Sequence, residues 1–470
     1  MSFETNPFDT SSTFANAWTS RKSYFVATTG DDFNPGTFDR PFHSLQAAIN
    51  QIGDGEGGDI YIRGGTYYAS EEPFVSEFND GREDSRLTIQ AYQNEQVILD
   101  GLGVALSGIS IAGSYVDVIG LEMRYAQQGI TGVRPQHLRL IDNTIYSTYS
   151  TGIGIYGIDS RSSKDILVQG NKVYYTNINN SPRIDYAWGS GIAISLTQDA
   201  IVRDNLVFNN WGEGIAITLS DNAIASGNYL YDNYSVNLYM DNATNSVFEK
   251  NFVFNTGNYE FYRPLDGRID YQPAYGIMFA NEEYSVGQNY LNNNIVRNNI
   301  LVNTLGILMT GIFKNGQVIN NTVYGSRESL LYIDEGDYEN ILIANNIFYQ
   351  TSWMSPVYLP SSWFADQYLP WGIWVTHNNW VNGNPSSLVI SSSDIFLDPF
   401  FVNPGGSNPN DYQLHYYSPA IDRGSFDELV TLDFGQRWRS QDGNGDGFFK
   451  IDLGAFEFDW SYDWIRYAWV

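Results

Sequence analysis

Nine short apolar segments recur along the middle of the chain, and their spacing is the strongest constraint on what it can fold into. They begin at Gly129 (GITGV), Gly152 (GIGIY), Gly191 (GIAIS), Gly214 (GIAIT), Asn237 (NLYMD), Gly276 (GIMFA), Gly306 (GILMT), Leu330 (LLYID) and Gly372 (GIWVT). Successive starts lie 23, 39, 23, 23, 39, 30, 24 and 42 residues apart. A base step that is sometimes lengthened marks a coiled solenoid, in which each turn buries its apolar face against its neighbours and surplus residues leave as loops. A second marker keeps phase with the first. Asn143, Asn205, Asn228 and Asn251 each fall 14 residues after the start of their own segment; Asn321 and Asn346 come slightly later, and Asn171 and Asn299 drift further. Stacked asparagines can bond amide to amide between turns, and Asn suits the bend itself.

The two-residue period of a strand turns Ile215 and Ile217 inward and Ala216 and Thr218 outward, and likewise Leu238 and Met240 against Tyr239 and Asp241. The predicted fold is therefore all-β: one solenoid of parallel strands about 4.8 Å apart, with a short helix near 43–53 (HSLQAAINQIG). The chain divides into an irregular arm (1–22), an N-terminal cap (23–86), the parallel coils (87–380), and C-terminal coils with a capping tail (381–470). A cap is needed because an open solenoid end exposes core and unpaired strand edges.

Composition excludes several classes. Cysteine is absent, so there is no disulfide framework, thiol nucleophile or thiolate metal site. The formal charge is −28, from 25 basic and 53 acidic residues. Such a field repels nucleic acid and anionic membrane, neither of which is an expected partner. No stretch is apolar enough to span a bilayer, so no membrane insertion is expected. The first twenty residues carry neither a basic nor an apolar leader region, so no signal peptide is read in them.

Three passages carry a family resemblance. YFVATTGDDFNPGTFDRPFHSLQAAI with GGDIYIRGGTYY resembles the cap of many secreted β-helix proteins. SPAIDRG, followed by DGNGDG and IDLGAFEF, resembles their C-terminal signature, and the repeats over roughly 100–380 resemble the generic β-helix repeat. The chain thus resembles the right-handed parallel β-helix proteins of the pectate-lyase-like superfamily. The resemblance implies a right-handed parallel β-helix, an extracellular or cell-surface location and a carbohydrate-active role. It does not choose among lyases, hydrolases and non-catalytic binders.

Long insertions at 177–190, 257–275 and 350–371 precede repeat segments and should emerge from one edge. Two of them share a sequence, Arg183-Ile184-Asp185-Tyr186 and Arg268-Ile269-Asp270-Tyr271, with the Asp six residues before the opening Gly in both. Three coils apart, their anchors lie roughly 15 Å from each other. Between them the sequence predicts a groove floored by Trp211, Glu213, Thr218, Asp232, Tyr234, Tyr239 and Asp241. Aromatic faces pack on sugar C–H surfaces while acids bond hydroxyls, so Trp188, Trp211, Tyr186, Tyr234, Tyr239, Tyr271, Arg183 and Arg268 are the candidate substrate-binding residues. Glu213 with Asp185, Asp241 or Asp270 is the candidate carboxylate pair of a hydrolase, which needs its two carboxyls roughly 5–9.5 Å apart.

The rival enzyme is a polysaccharide lyase using Arg183, Arg263 or Arg268, with calcium neutralising the substrate; the same arginines can instead pair with loop carboxylates. A third class is a glycan-binding surface, matrix or tailspike-like protein, for which oligomerisation would be expected. Clustered insertions and an aromatic groove favour an enzyme. Farther on, Asp442-Gly443-Asn444-Gly445-Asp446-Gly447 sets oxygen ligands at alternate positions like the start of an EF-hand loop, with Asp452 the nearby acid. It reads either as a structural calcium site or as a Gly/Asp turn.

Overall fold

The structure is a computed structural model that describes residues 21–69, 71–158, 163–183, 188–264, 271–284, 290–366, 372–425 and 432–458. Among these residues, strands pair in parallel into three sheets of 13, 12 and 12 strands, with one antiparallel ribbon between Arg263–Pro264 and Tyr271–Gln272. A single coil shows the plan. Glu213–Thr218 lies in the first or site sheet, Ile224–Ser226 in the middle sheet and Tyr229–Tyr231 in the third, and Val236–Asp241 then opens the next coil on the site sheet. The molecule is a right-handed parallel β-helix, as the repeat spacing predicts.

Register is set by the inward aliphatic residues. Ile109, Ile130, Ile153, Ile192, Ile215, Leu238, Ile277, Ile307 and Leu331 pair in one continuous row. All are buried in one core that runs from Val26 to Val389. A one-residue slip would turn this whole row to solvent, which fixes the pairing. The Gly that opens most repeat segments marks a close approach of neighbouring coils. A Cβ on Gly214 would lie 2.4 Å from the Asn237 carbonyl and one on Gly191 2.8 Å from that of Gly214.

The asparagine marker is a ladder. Asn143, Asn171, Asn205, Asn228, Asn251, Asn299, Asn321, Asn346 and Asn378 stack at the corner between the middle and third sheets. Each side-chain amide donates to the next Asn Oδ1 at 2.9–3.1 Å. The next Asn Oδ1 also accepts the backbone N–H, as at Asn205 and Asn228 (3.0 Å). The drifting Asn171 and Asn299 are full rungs, because insertions elsewhere in the coil change the count but not the corner. Asn378 is a rung the spacing did not reveal.

The ninth segment is a correction. Ile373–Thr376 pairs with Ile341–Ala344 in the middle sheet, and that coil's site-sheet strand is Val357–Tyr358. Glycine followed by alternating apolar residues reports a buried strand without saying which of three sheets holds it. The third insertion therefore does not share an edge with the other two: its helix, Ser361–Asp366, follows the site-sheet strand instead of preceding it.

The ends are closed differently. The helix Leu45–Ile49, capped by Ser44 accepting the Ala47 N–H, buries Leu45, Ala48 and Ile49 against the first coils. Strand Ser23–Val26 pairs with Gly58–Ile62 and so continues the middle sheet. The C-terminal tail folds back along the outer face of the third sheet, where Tyr412, Leu414, Leu453, Phe456 and Phe458 pack on Phe252, Ile300, Val302 and Ile347. No helix among the described residues is long and apolar enough to cross a membrane.

Candidate functional site

Glu213 begins a site-sheet strand opposite Ser190 of the preceding coil. The corner before it is held by a second, shorter ladder. Asn210 Oδ1 accepts from the Thr176 N–H (3.0 Å), Asn210 donates to Asn233 Oδ1 (2.8 Å) and Asn233 to Asn237 Oδ1 (2.9 Å). The Cα of Gly214 faces this ladder, since an added Cβ would meet Asn233 Nδ2 at 2.9 Å. Glu213 is thereby left on the outer face, where Ser190 Oγ donates to its Oε2 at 2.6 Å.

On that face Ala216, Val236, Tyr239 and Ala280 form a small buried cluster with Tyr275 and Met278 packed against it. The loop after strand Tyr275–Ala280 folds back over it. The Glu282 N–H donates to Asp241 Oδ1 at 3.0 Å, Asn242 Nδ2 to the Glu282 carbonyl at 2.6 Å, and Tyr284 OH to Asp241 Oδ2 at 2.5 Å. Tyr239 OH donates to Glu282 Oε1 at 2.9 Å, and Tyr284 OH also reaches Glu282 Oε2 at 3.3 Å. Three carboxyl groups, Glu213, Asp241 and Glu282, thus surround the Tyr239 phenol.

Their fields act on one another. Loss of hydration pushes the Glu213 carboxyl up to about 7; Glu282 and then Asp241 push the same way, while the Ser190 hydrogen bond and Arg263 oppose. Burial also raises Asp241, against the bonds from Tyr284 and the Glu282 amide. Burial and the surrounding acids hold the Tyr239 and Tyr284 phenols far above their ordinary range, so both stay protonated donors. A carboxyl neutral near pH 7 beside acceptor carboxylates is what general acid catalysis requires.

Glu213 and Asp241 are not neighbours along the strand. Asp241 pairs with Thr218, five residues on from Glu213. At about 3.3 Å per residue their backbones are separated by roughly 16 Å along the strand direction. Glu282, whose side chain is brought to Tyr239 by the returning loop, fills the interval. Glu282, Tyr284 and Ser190 are not among the residues that the repeat pattern points to: the long insertions precede repeat segments, whereas Asn281-Glu282-Glu283-Tyr284 directly follows one. Asp185 and Asp270, the other candidate partners, lie outside the described residues, as do Tyr186 and Arg268.

The two insertions meet. The Arg183 guanidinium lies 5.3 Å from the centre of the Tyr271 ring and donates to the Tyr259 carbonyl at 3.0 Å; that of Arg263 lies 4.7 Å from Trp188 and donates to Ser235 Oγ at 3.3 Å. Together they roof the coils between them. Trp211 and Tyr234, expected on the groove floor, are buried with Phe261 beneath that roof and offer no face to a ligand. Asp232 is likewise used internally, accepting the Thr256 amide at 2.9 Å and its hydroxyl. Trp188 and Tyr271 remain 47% and 44% exposed at the rim. Tyr239 is buried beside the exposed Glu282, so the long aromatic floor that the sequence predicts is not formed.

Asp442 accepts the amides of Gly445, Asp446 and Gly447 at 2.8–3.0 Å, and Asn444 and Asp446 each accept an amide two residues on. Asp452 is buried beneath the loop, accepting the amides of Asp422 (2.7 Å) and Phe458 (2.6 Å). Among the described residues no three acidic, His or Cys side chains gather as a metal site.

Comparison with known proteins agrees with the fold. A family model described as a Pel9A-like, right-handed β-helix region matches residues 24–177, and one described as a right-handed β-helix region matches residues 107–348. Pectate lyase PEL9 of Emericella nidulans is 35% identical over 77 residues, 16% of this chain and 18% of that protein. Uncharacterized protein YwoF of Bacillus subtilis is 28% identical over 162 residues, 34% of this chain and 30% of that one. The chain thus aligns with less than a third of either relative's length. Of solved structures, the complex of XylC with xylose superposes with a TM-score of 0.62 at 12% identity, covering 93% of this chain and 99% of that one. Pectate lyase Pel9A superposes with a TM-score of 0.53 at 16% identity, covering 94% and 97%. Both are likenesses of fold. Glu213, Asp241 and Glu282 all fall outside the Pel9A-like match and inside the broader one. Stacked register, asparagine ladder and a family model spanning 242 of 470 residues agree: the chain belongs to the right-handed β-helix family.

Proposed function

We propose that this protein cleaves a polysaccharide by hydrolysis at the carboxyl cluster around Tyr239, with Glu213 as general acid and Glu282 as the opposing carboxylate. The observation that carries the reading is Glu213 itself: deprived of water and faced by two acids, its carboxyl is held near 7 and can deliver a proton to a glycosidic oxygen at neutral pH. Glu282, exposed and oriented by the Tyr239 phenol that donates to it, stands ready to activate water or attack the sugar carbon. Asp241 is a positioning residue that holds the Glu282 amide and Tyr284. Trp188 and Tyr271 supply aromatic surface for the chain on either side of the bond.

β-Elimination is less well supported. Tyr239 and Tyr284 are held as donors and cannot serve as bases, and Arg183 and Arg263 are engaged with aromatic rings and loop oxygens. The reading also implies a secreted or cell-surface protein, since polymeric glycans lie outside cells. Incubation with a panel of neutral and acidic polysaccharides, followed by product mass analysis, tests it. Products that carry the elements of water support hydrolysis; unsaturated products, or no cleavage of any polymer, overturn it. Glu213→Gln and Glu282→Gln should each lower kcat by about 10²–10⁴-fold.

A further inference from the structure

We propose that two copies of this protein pair through the outer face of the middle sheet, about a two-fold axis at Ile224. In that sheet Val168, Val202, Ala225, Phe248 and Val296 point into the core, and the residues on either side of each point out. One outward row runs Leu167, Ile201, Ile224, Val247 and Ile295, in unbroken register from coil to coil. Ile201 is 39% exposed and the other four are partly exposed. Single aliphatic residues on a surface are ordinary, whereas a continuous row with a polar border marks an interface.

The bordering residues select a second copy as the occupant. The next outward row runs Gln169, Arg203, Ser226, Glu249 and Arg297. At the corner beyond it stand Asp204, Gly227 and Lys250, all with positive φ. Arg203-Asp204 thus lies one coil to one side of Ile224, and Glu249-Lys250 one coil to the other. A two-fold axis in the plane of the face, parallel to the strand, exchanges the two sides and returns each row onto itself. It sets Ile224 against its own counterpart, Ile201 against Val247 and Leu167 against Ile295. It also sets Arg203 against Glu249 and Asp204 against Lys250, each pair formed twice. These side chains are held along the face before docking: Arg203 donates to Gln169 at 2.9 Å, Glu249 pairs with Arg297 at 2.7 Å and Lys250 donates to Gln436 at 3.4 Å. Less ordering entropy is then lost on association. The formal charge of −28 on each copy opposes approach, but on these rows Arg203, Lys250 and Arg297 balance Asp204 and Glu249.

From Arg139 to Gln317 the register is continuous over seven coils. At about 4.8 Å per coil the face is roughly 29 Å long, and the five steps from corner Asn222 to corner Gly227 make it about 16 Å wide. Two copies cover roughly 900 Å² between them, small for a permanent dimer and suited to a reversible one in which charge sets the register. Glu213 lies on the site sheet, so pairing leaves the carboxyl cluster open and is independent of the hydrolytic reading.

Sedimentation equilibrium of the full chain is the test. The expected result is a reversible monomer–dimer equilibrium in the micromolar range, with no larger species because an isologous contact closes on itself. Ile224→Asp places two carboxylates face to face on the axis and should leave monomer alone. Arg203→Glu and Glu249→Arg should each weaken self-association by at least about tenfold, since like charges then meet. Mixed together, these two variants should form a heterodimer, because both crossing pairs are again of opposite charge. A mass of one chain at every concentration, as a face covered by residues 459–470 or by a different protein would give, overturns the pairing. So does a dimer indifferent to Ile224→Asp, or a mixture of the two charge variants that stays monomeric.

Discussion

In the proposed reaction Glu213 is the acid because of what surrounds it, and the consequences are read in pH. Acting as an acid, it must be protonated, so kcat should fall as pH rises through about 7. A pH–rate profile checks this; a flat profile across neutrality would contradict the assignment. Stability carries the same signature. The folded carboxyl is raised above its ordinary value of 4.5, so the fold favours the neutral form. This group's contribution is complete below about 4.5 and is lost as pH rises through about 7. Glu213→Gln should flatten that part of the pH–stability curve. At the neighbouring position the constraint is steric: Gly214→Ala would drive a methyl to 2.4 Å from the Asn237 carbonyl. It should lower stability by about 1–3 kcal/mol in urea unfolding and disturb the strand start that aims Glu213. Both residues stand out in the sequence, Gly214 as a repeat marker and Glu213 as the acid before it. Glu282 does not, because only the return of its loop across Tyr239 gives it a role.

At the scale of the element, the corner ladders stiffen the coils. Asn228 shows the arrangement: its Oδ1 accepts from both the backbone and the side chain of Asn205, and its amide donates to Val202 O at 2.9 Å and Asn251 Oδ1 at 2.9 Å. Asn228→Ala leaves buried donors on Asn205 without an acceptor, which costs about 1–3 kcal/mol. Because a solenoid's coils contact only their neighbours, the effect should be local. Hydrogen exchange should show faster amides at the Asn205 and Asn251 corners and unchanged protection near Ile109. The ladder was legible because it repeats in phase with the strands. The misplacement of GIWVT shows the limit of that legibility. A coil has three apolar strands of similar pattern, and when an insertion resets the count, periodicity cannot tell the site sheet from the middle one. The loop edge inferred for 350–371 failed for that reason.

Across the whole molecule, the tail is locked to the side of the solenoid by a buried charge pair. Arg439 and Glu457 form a fully buried pair at 2.7 Å, and Arg439 also donates to Asn298 Oδ1 (2.5 Å) and the Gly454 carbonyl (2.9 Å). Asp452 lies alongside; burial first, and then Glu457, push its carboxyl well up. Removing one partner strands the other charge, so Glu457→Gln should cost about 3–5 kcal/mol, whereas Arg439→Met with Glu457→Leu should recover most of it. Limited proteolysis provides the measurement: the single variant should be cut in the tail sooner than in the coils, the double variant should not.

The sequence by itself determined the solenoid, its register and its asparagine corner, because stacking neighbours needs the same residue at the same place in every turn and so writes itself as a period. It also singled out Glu213, Tyr239, Trp188 and Tyr271 as chemistry-bearing side chains near one edge. Only the tertiary structure decided which of them stay exposed. Trp211 and Tyr234 went under the joined loops, Asp241 became a support, Glu282 came in from a later loop, and the carboxylates of the DGNGDG turn closed on their own backbone. Those outcomes depend on contacts between loops that occur once and repeat nowhere. The periodicity that specifies the coils says nothing about them.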